Sequence, residues 1–117
     1  MTATADDTPR PFAEGLREVF QNTARLRVSA FLSSCEEAAF QAVQEKCGLS
    51  KSALSKQVSI LEKQGCVDVR KGYVGKYPRT WLALTPEGRE ALAAHLAALQ
   101  DIADTAAQHA TDVDTAS

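Results

Sequence analysis

The period of the apolar residues switches at Gly65, and that switch confines the chain to helices interrupted by one β-hairpin. Upstream, Phe40, Val43 and Cys47, then Leu54, Val58 and Leu61, recur at steps of three and four, the spacing of one buried helix face. Downstream, residues 66–71 alternate loosely and Trp81–Leu84 form a second short run, as the strands of a hairpin do. Helical spacing returns after Pro86. With 117 residues there is room for one core of ordinary size.

Local signals mark the ends of the elements. Gly48 stands where a helix C-terminus commonly needs positive φ, and Ser50 is a good N-cap for the helix that follows. Two helices thus meet through about three residues, which is helix-turn-helix spacing over residues 37–64. Glu36 and Glu37 are expected in the first turn of the leading helix, where its dipole favours anions. The wing spans 66–84, and GYVGKYPR within it reads as an extended loop rather than a tight turn. Thr85-Pro86-Glu87 opens a helix expected to run to about residue 109. Nearer the N-terminus, Phe12, Leu16, Val19 and Phe20 have helical spacing, and Asn22 or Thr23 can cap the helix after them. Residues 1–11 read as a flexible leader and 110–117 as a frayed tail. The expected class is mainly α with a small β-hairpin.

Several functions are disfavoured. No apolar run approaches the roughly 18 residues of a membrane span, and the first eleven residues lack the marks of a secretory signal. A cytoplasmic, nucleoid-associated protein with no membrane partner is expected. Nucleotide-loop, nucleophile-elbow and metalloprotease motifs are missing, and His95 and His109 read as solvated. No enzyme, cofactor or metal is expected. Cys35, Cys47 and Cys66 are odd in number and widely spaced, so they read as small buried hydrophobes; a thiol switch is the sharper alternative.

Charge is unevenly placed. The whole chain carries a formal −2, but Lys46–Thr80 holds eight basic residues and two acids, a net of +6. The remainder is −8. A one-sided basic patch is what phosphates require, because neutralising them releases condensed counterions.

The segments RLRVSAFL, CGLSKSALSKQVSILEKQGCV, RKGYVGKYPRTWLALT and TPEGREALAAHL stand in this order along the chain. Residues from about 22 to 99 thereby resemble the bacterial winged-helix transcription regulators of the MarR-like and ArsR-like kind. The resemblance implies a winged helix-turn-helix with an extra N-terminal helix, a long C-terminal dimerisation helix, binding to double-stranded DNA, and a homodimer. Metal sensing is not carried over, since the recognition helix lacks the paired cysteines of the metal-sensing members.

Within that frame, Lys51, Ser52, Ser55, Lys56 and Ser59 fall outside the buried stripe, and Lys51, Ser52, Ser55 and Lys56 are the expected base-edge contacts, with Ser50 and Gln57 beside them. Arg70, Lys71, Lys76 and Arg79 suit phosphates or the minor groove, and Tyr73 and Tyr77 suit the sugar–phosphate backbone. Leu92, Leu96, Leu99, Ala103 and Ala106 form a heptad seam for a second subunit, with Leu16, Val19 and Phe20 as a further contribution. The expected function is a homodimeric repressor reading a pseudo-palindromic operator. The alternatives are a basic face that docks an acidic protein, and a sensor whose small-molecule effector sits near Phe12, Phe20 and Trp81.

Overall fold

In the computed structural model, which describes residues 12–116, the helix that begins at Thr23 touches every other helix and the middle strand of the sheet. In chain order come α1 (Thr23–Ser33), β1 (Ala38–Ala39), α2 (Phe40–Cys47), α3 (Lys51–Lys63), β2 (Val67–Val74), β3 (Tyr77–Leu84) and α4 (Pro86–Ala116). Gly48 and Gly65 both adopt left-handed φ, 65° and 75°, which lets the chain reverse tightly at each end of α3.

Side chains cap the helix starts. Asn22 accepts from the Arg25 N–H at 3.0 Å, Ser50 from Ala53 at 3.1 Å and Thr85 from Gly88 at 2.8 Å. Each such cap contributes about 1 kcal/mol. Leu54, Val58 and Leu61 of α3 then meet Val28 and Leu32 of α1, Val43 and Cys47 of α2, Leu82 and Leu84 of β3, and Leu92 of α4 in one core.

The sheet is antiparallel, ordered β1-β3-β2. Its hairpin is tighter than the sequence suggests. Pairing runs unbroken from Val67↔Leu84 to Val74↔Tyr77, leaving a two-residue turn of Gly75 and Lys76. Gly72 and Pro78 look like breakers but are accommodated. Gly72 lies over Trp81, where a Cβ would come 3.2 Å from the ring. Pro78 stands on the part of β3 that β1 does not cover, a place where no amide donor is needed.

Two further elements depart from expectation. Ala38 and Ala39 pair with Leu82 and Trp81 as a short strand, so α2 begins only at Phe40 and both glutamates lie outside it. Backbone hydrogen bonding to β3 outweighs the alanines' preference for helix. The N-terminal helix is likewise reduced to a turn and one 3-10 turn at Glu18–Phe20. Gly15 lies so close to α4 that a Cβ there would overlap the Ala94 carbonyl oxygen. The Arg17 N–H bonds His95 Nδ1 at 2.9 Å instead of continuing a helical ladder.

His95 is therefore a core residue, 2% exposed, with its ring 5.5 Å from that of Phe20. Burial, and secondarily the Arg17 charge, pushes its pKa below 6.5. The unfolded chain thus takes up a proton first as the solution is acidified. Stability is fully present above about pH 6.5 and falls by at most about 1.4 kcal/mol per pH unit until the folded-state pKa is passed. Urea midpoints from about pH 8 to about pH 5 measure the slope, and His95→Gln flattens it. An equally steep slope in that variant would assign the effect to another group.

Candidate nucleic-acid interface

On α3 one side is committed to the core and the other faces solvent. Leu54, Val58 and Leu61 are buried. Gln57 shares their side at helical spacing, and its Oε1 accepts from Arg25 Nη1 at 2.9 Å while Arg25 Nε donates to the Val19 carbonyl at 2.7 Å. Gln57 is thereby withdrawn from the expected contact set: it ties α3 to α1. Lys51, Ser52, Ser55, Lys56 and Ser59 occupy the open side, all exposed. Ser50 is exposed too, but its hydroxyl serves the helix as cap.

The open side of α3 faces the wing across a recess of about 620 Å³. Lys51, Ser55, Ser59 and the acid Glu62 line it from the helix and Lys71 and Thr80 from the hairpin, over a floor of Phe40, Val58, Val69 and Leu82. Cross-strand partners share a face of the sheet, so Lys71 and Thr80, paired in register, point together toward α3. A neighbouring recess brings Gln41 and Gln44 of α2 beside Lys51, Pro78 and Arg79. Sequence reasoning missed Thr80, Gln41 and Gln44, and placed Ser59 on the open side of the helix without counting it among the contacts. Ser59 was legible from its spacing, four residues after Ser55 on the same helix face; the other three carry no such signal.

The remaining wing residues divide between the two faces. Tyr73 pairs with Pro78 on the α3 side, while Tyr77 pairs with Val74 on the outer side. Both tyrosines are about three-quarters exposed, at 72% and 75%. Lys76 occupies the turn and is exposed. Arg70 is not aimed at the recess. It lies on the outer face, over Trp81 and bonded to Glu37.

The expected subunit seam is also sorted by burial. Phe20 and Leu92 are enclosed in the chain's own core and have no surface for a partner. Leu16 and Val19 are half-buried, the latter against that core. Helix α4 packs through Leu92, His95 and Ala98, and beyond Leu99 every described side chain is exposed. Leu96 is 43% exposed and Leu99 half-buried; Ala103 and Ala106 are open, and Ile102, not anticipated, is open with them. Burial of Phe20 equally removes it from the expected effector site beside Phe12 and Trp81.

The cysteines are quiet. Cys47 and Cys66 are buried, and burial pushes both thiols up in pKa, the opposite of what a reactive thiolate needs. Cys35 is half-buried at the end of α1, its Sγ 3.7 Å from the Leu32 carbonyl. No helix among the described residues is long and apolar enough to cross a membrane.

Comparison with known proteins agrees with this geometry. The family described as winged helix DNA-binding domain matches residues 24–103. No curated protein matches the chain significantly. Among solved structures, a transcriptional regulator homologue from Pyrococcus horikoshii OT3 is 28% identical, with a TM-score of 0.70, covering 74% of this chain and 86% of that one. The PcaV transcriptional regulator of Streptomyces coelicolor, solved with its natural ligand, is 21% identical with a TM-score of 0.66, covering 86% and 74%. A protein assigned as a MarR-family regulator from Enterococcus faecalis V583 is 23% identical with a TM-score of 0.64, covering 80% and 84%.

Proposed function

This chain belongs to the winged helix DNA-binding domain family, and we propose that it is a homodimeric, sequence-specific transcriptional regulator with α3 in the major groove. The observation that carries the reading is the recess shared by α3 and the wing. Lys51, Ser55 and Ser59 face Lys71 and Thr80 across it, inside a segment of net +6. Lysines can donate to guanine O6 and N7 and serines to several base edges, and short serines let the helix approach closely. Lys71, Lys76 and Arg79 neutralise flanking phosphates, with Tyr73 and Tyr77 along the backbone.

The exposed part of α4 supplies the subunit contact through Leu96, Leu99, Ile102, Ala103 and Ala106. A two-fold pair sets its recognition helices about one DNA turn apart, roughly 34 Å, which calls for a pseudo-palindromic site. Repression is the simplest consequence, since a dimer lying across a promoter excludes polymerase.

Titration of labelled duplex against salt tests the reading. With six or more phosphate contacts across a dimer, affinity drops about 10³-fold or more between about 50 and 200 mM salt. Lys56→Ala relaxes discrimination between sequences by about 1–3 kcal/mol, whereas Lys71→Ala weakens all sequences alike and lowers the salt slope by about 0.9 per site. A flat plot of log K against log salt sinks the proposal, and the basic face would then belong to an acidic protein partner.

A further inference from the structure

By charge alone Arg70 belongs with the residues that touch phosphate, yet the sheet sets it elsewhere. Trp81 lies on the middle strand, paired with Ala39 of β1 on one side and Arg70 of β2 on the other. Cross-strand partners share a face, so Ala39, Trp81 and Arg70 form a row on the side away from α3. Glu37 comes two residues before Ala39, which returns it to that same face at the strand period of two.

The row is closed by strong contacts. Arg70 Nε donates to Glu37 Oε2 at 2.9 Å and Nη2 to Oε1 at 2.6 Å, a bidentate pair whose planar geometry fixes both groups. The guanidinium carbon sits 4.1 Å from the Trp81 ring centroid, within cation–π range. Arg70 holds the Glu37 carboxyl below the usual carboxylate range, so the pair stays ionised at neutral pH.

We propose that Glu37 is a positioning residue: with Arg70 and Trp81 it sets the angle of the wing against α2 and α3 and keeps Arg70 off the DNA backbone. The pair spans the whole sheet. It joins outer strand β2 to the segment that enters α2, while β1, only two residues long, leads directly into that helix. Since both partners are exposed, the pair adds little to stability; its effect is on orientation. Held at this angle, Lys71 and Thr80 face Lys51 and Ser55 across the recess on the opposite side of the sheet. This inference rests on the DNA-reading function proposed above.

The test uses the full chain, a duplex selected by it from random sequence, and the variants Glu37→Gln, Arg70→Gln and their combination, with Lys71→Gln as control. Each single variant weakens binding by about fivefold, and the double variant is no weaker than either, as expected for groups acting as one unit. Their salt slopes equal that of the wild type, whereas Lys71→Gln, which removes one contact in each subunit of the dimer, lowers the slope by about 1.8. Melting temperatures fall by less than about 4 °C. Trp81 is the one tryptophan in the chain, so its fluorescence reports the row directly, and it shifts in the same way in all three Glu37/Arg70 variants without DNA.

A slope lowered by about 1.8 in Arg70→Gln, or tighter binding by Glu37→Gln, overturns the proposal, because Arg70 would then be a phosphate contact that Glu37 merely competes for. Should Arg70→Gln fail to fold, Glu37→Gln carries the test alone. If the wild type binds no duplex, the DNA-reading function fails separately. Trp81 emission then decides: an unchanged spectrum in Glu37→Gln rejects the row as a brace, and a shifted one retains it.

Discussion

Gly88→Ala lowers the unfolding free energy by about 3 kcal/mol or more, enough to leave a small domain largely unfolded. At an ordinary interior helix position the same change gains up to about 1 kcal/mol, because alanine restricts the unfolded chain and suits the helix. Here the sign reverses. A Cβ at Gly88 would overlap the Cys66 carbonyl oxygen and come within 2.9 Å of its carbonyl carbon and Cα, all backbone atoms that no rotamer change can move aside. Retreat of Cys66 is blocked as well. Its oxygen accepts from the Thr85 N–H at 2.9 Å, while the Thr85 hydroxyl donates to Gly65 at 2.6 Å and accepts from Gly88 at 2.8 Å. Moving either segment therefore breaks hydrogen bonds around partly buried groups, at about 1–3 kcal/mol each. Urea unfolding followed by circular dichroism measures the loss, and a variant as stable as the wild type contradicts the packing described for this junction.

If the chain pairs through α4 as proposed, a chain ended after Leu99, which lacks Ile102, Ala103 and Ala106, folds but no longer pairs, and its affinity for an operator falls by about 10² or more. The stability part follows from burial. The face of α4 that meets the domain ends at about Ala98, and every described side chain beyond Leu99 is exposed, so the truncation uncovers no core residue of the monomer. The affinity part follows from linkage. Two recognition helices held on one body bind the second half-site at an effective concentration that a monomer lacks. Sedimentation equilibrium and binding to one and two half-sites separate the two effects. A truncated chain that remains dimeric, or that binds the full site with undiminished affinity, rules out the part of α4 beyond Leu99 as the subunit contact.

What could be read in the sequence was whatever depends on neighbours in the chain. Ser50, Asn22 and Thr85 cap helices that begin one residue later, and Gly48 and Gly65 close turns within a few residues, so each was legible from its own surroundings. The stripe of Leu54, Val58 and Leu61 is likewise a property of one helix. The open side of that helix, Lys51 to Lys56, followed from the same periodicity. Gln57 did not, because its partner Arg25 lies 32 positions away. Glu37 and Arg70 are separated by 33 positions, and Arg17 and His95 by 78. In these cases side-chain type permits several environments, and only the packed fold selects one. Ala38 and Ala39 show the same limit for the backbone: alanine prefers helix, but the open edge of β3 recruited them as a strand.

Pro78 has a consequence for the protein's behaviour in concentrated solution. β1 covers only Trp81 and Leu82 of the middle strand, so residues 77–80 of β3 leave one edge without a neighbouring strand. An uncovered edge next to exposed tyrosines is a template on which other copies could stack into fibrous aggregates. At Pro78 there is no amide hydrogen to extend such a ladder, and Arg79 beside it adds a charge that a stack of identical chains would have to bring together. The same residues that leave the edge of the hairpin uncovered therefore also keep it from polymerising there.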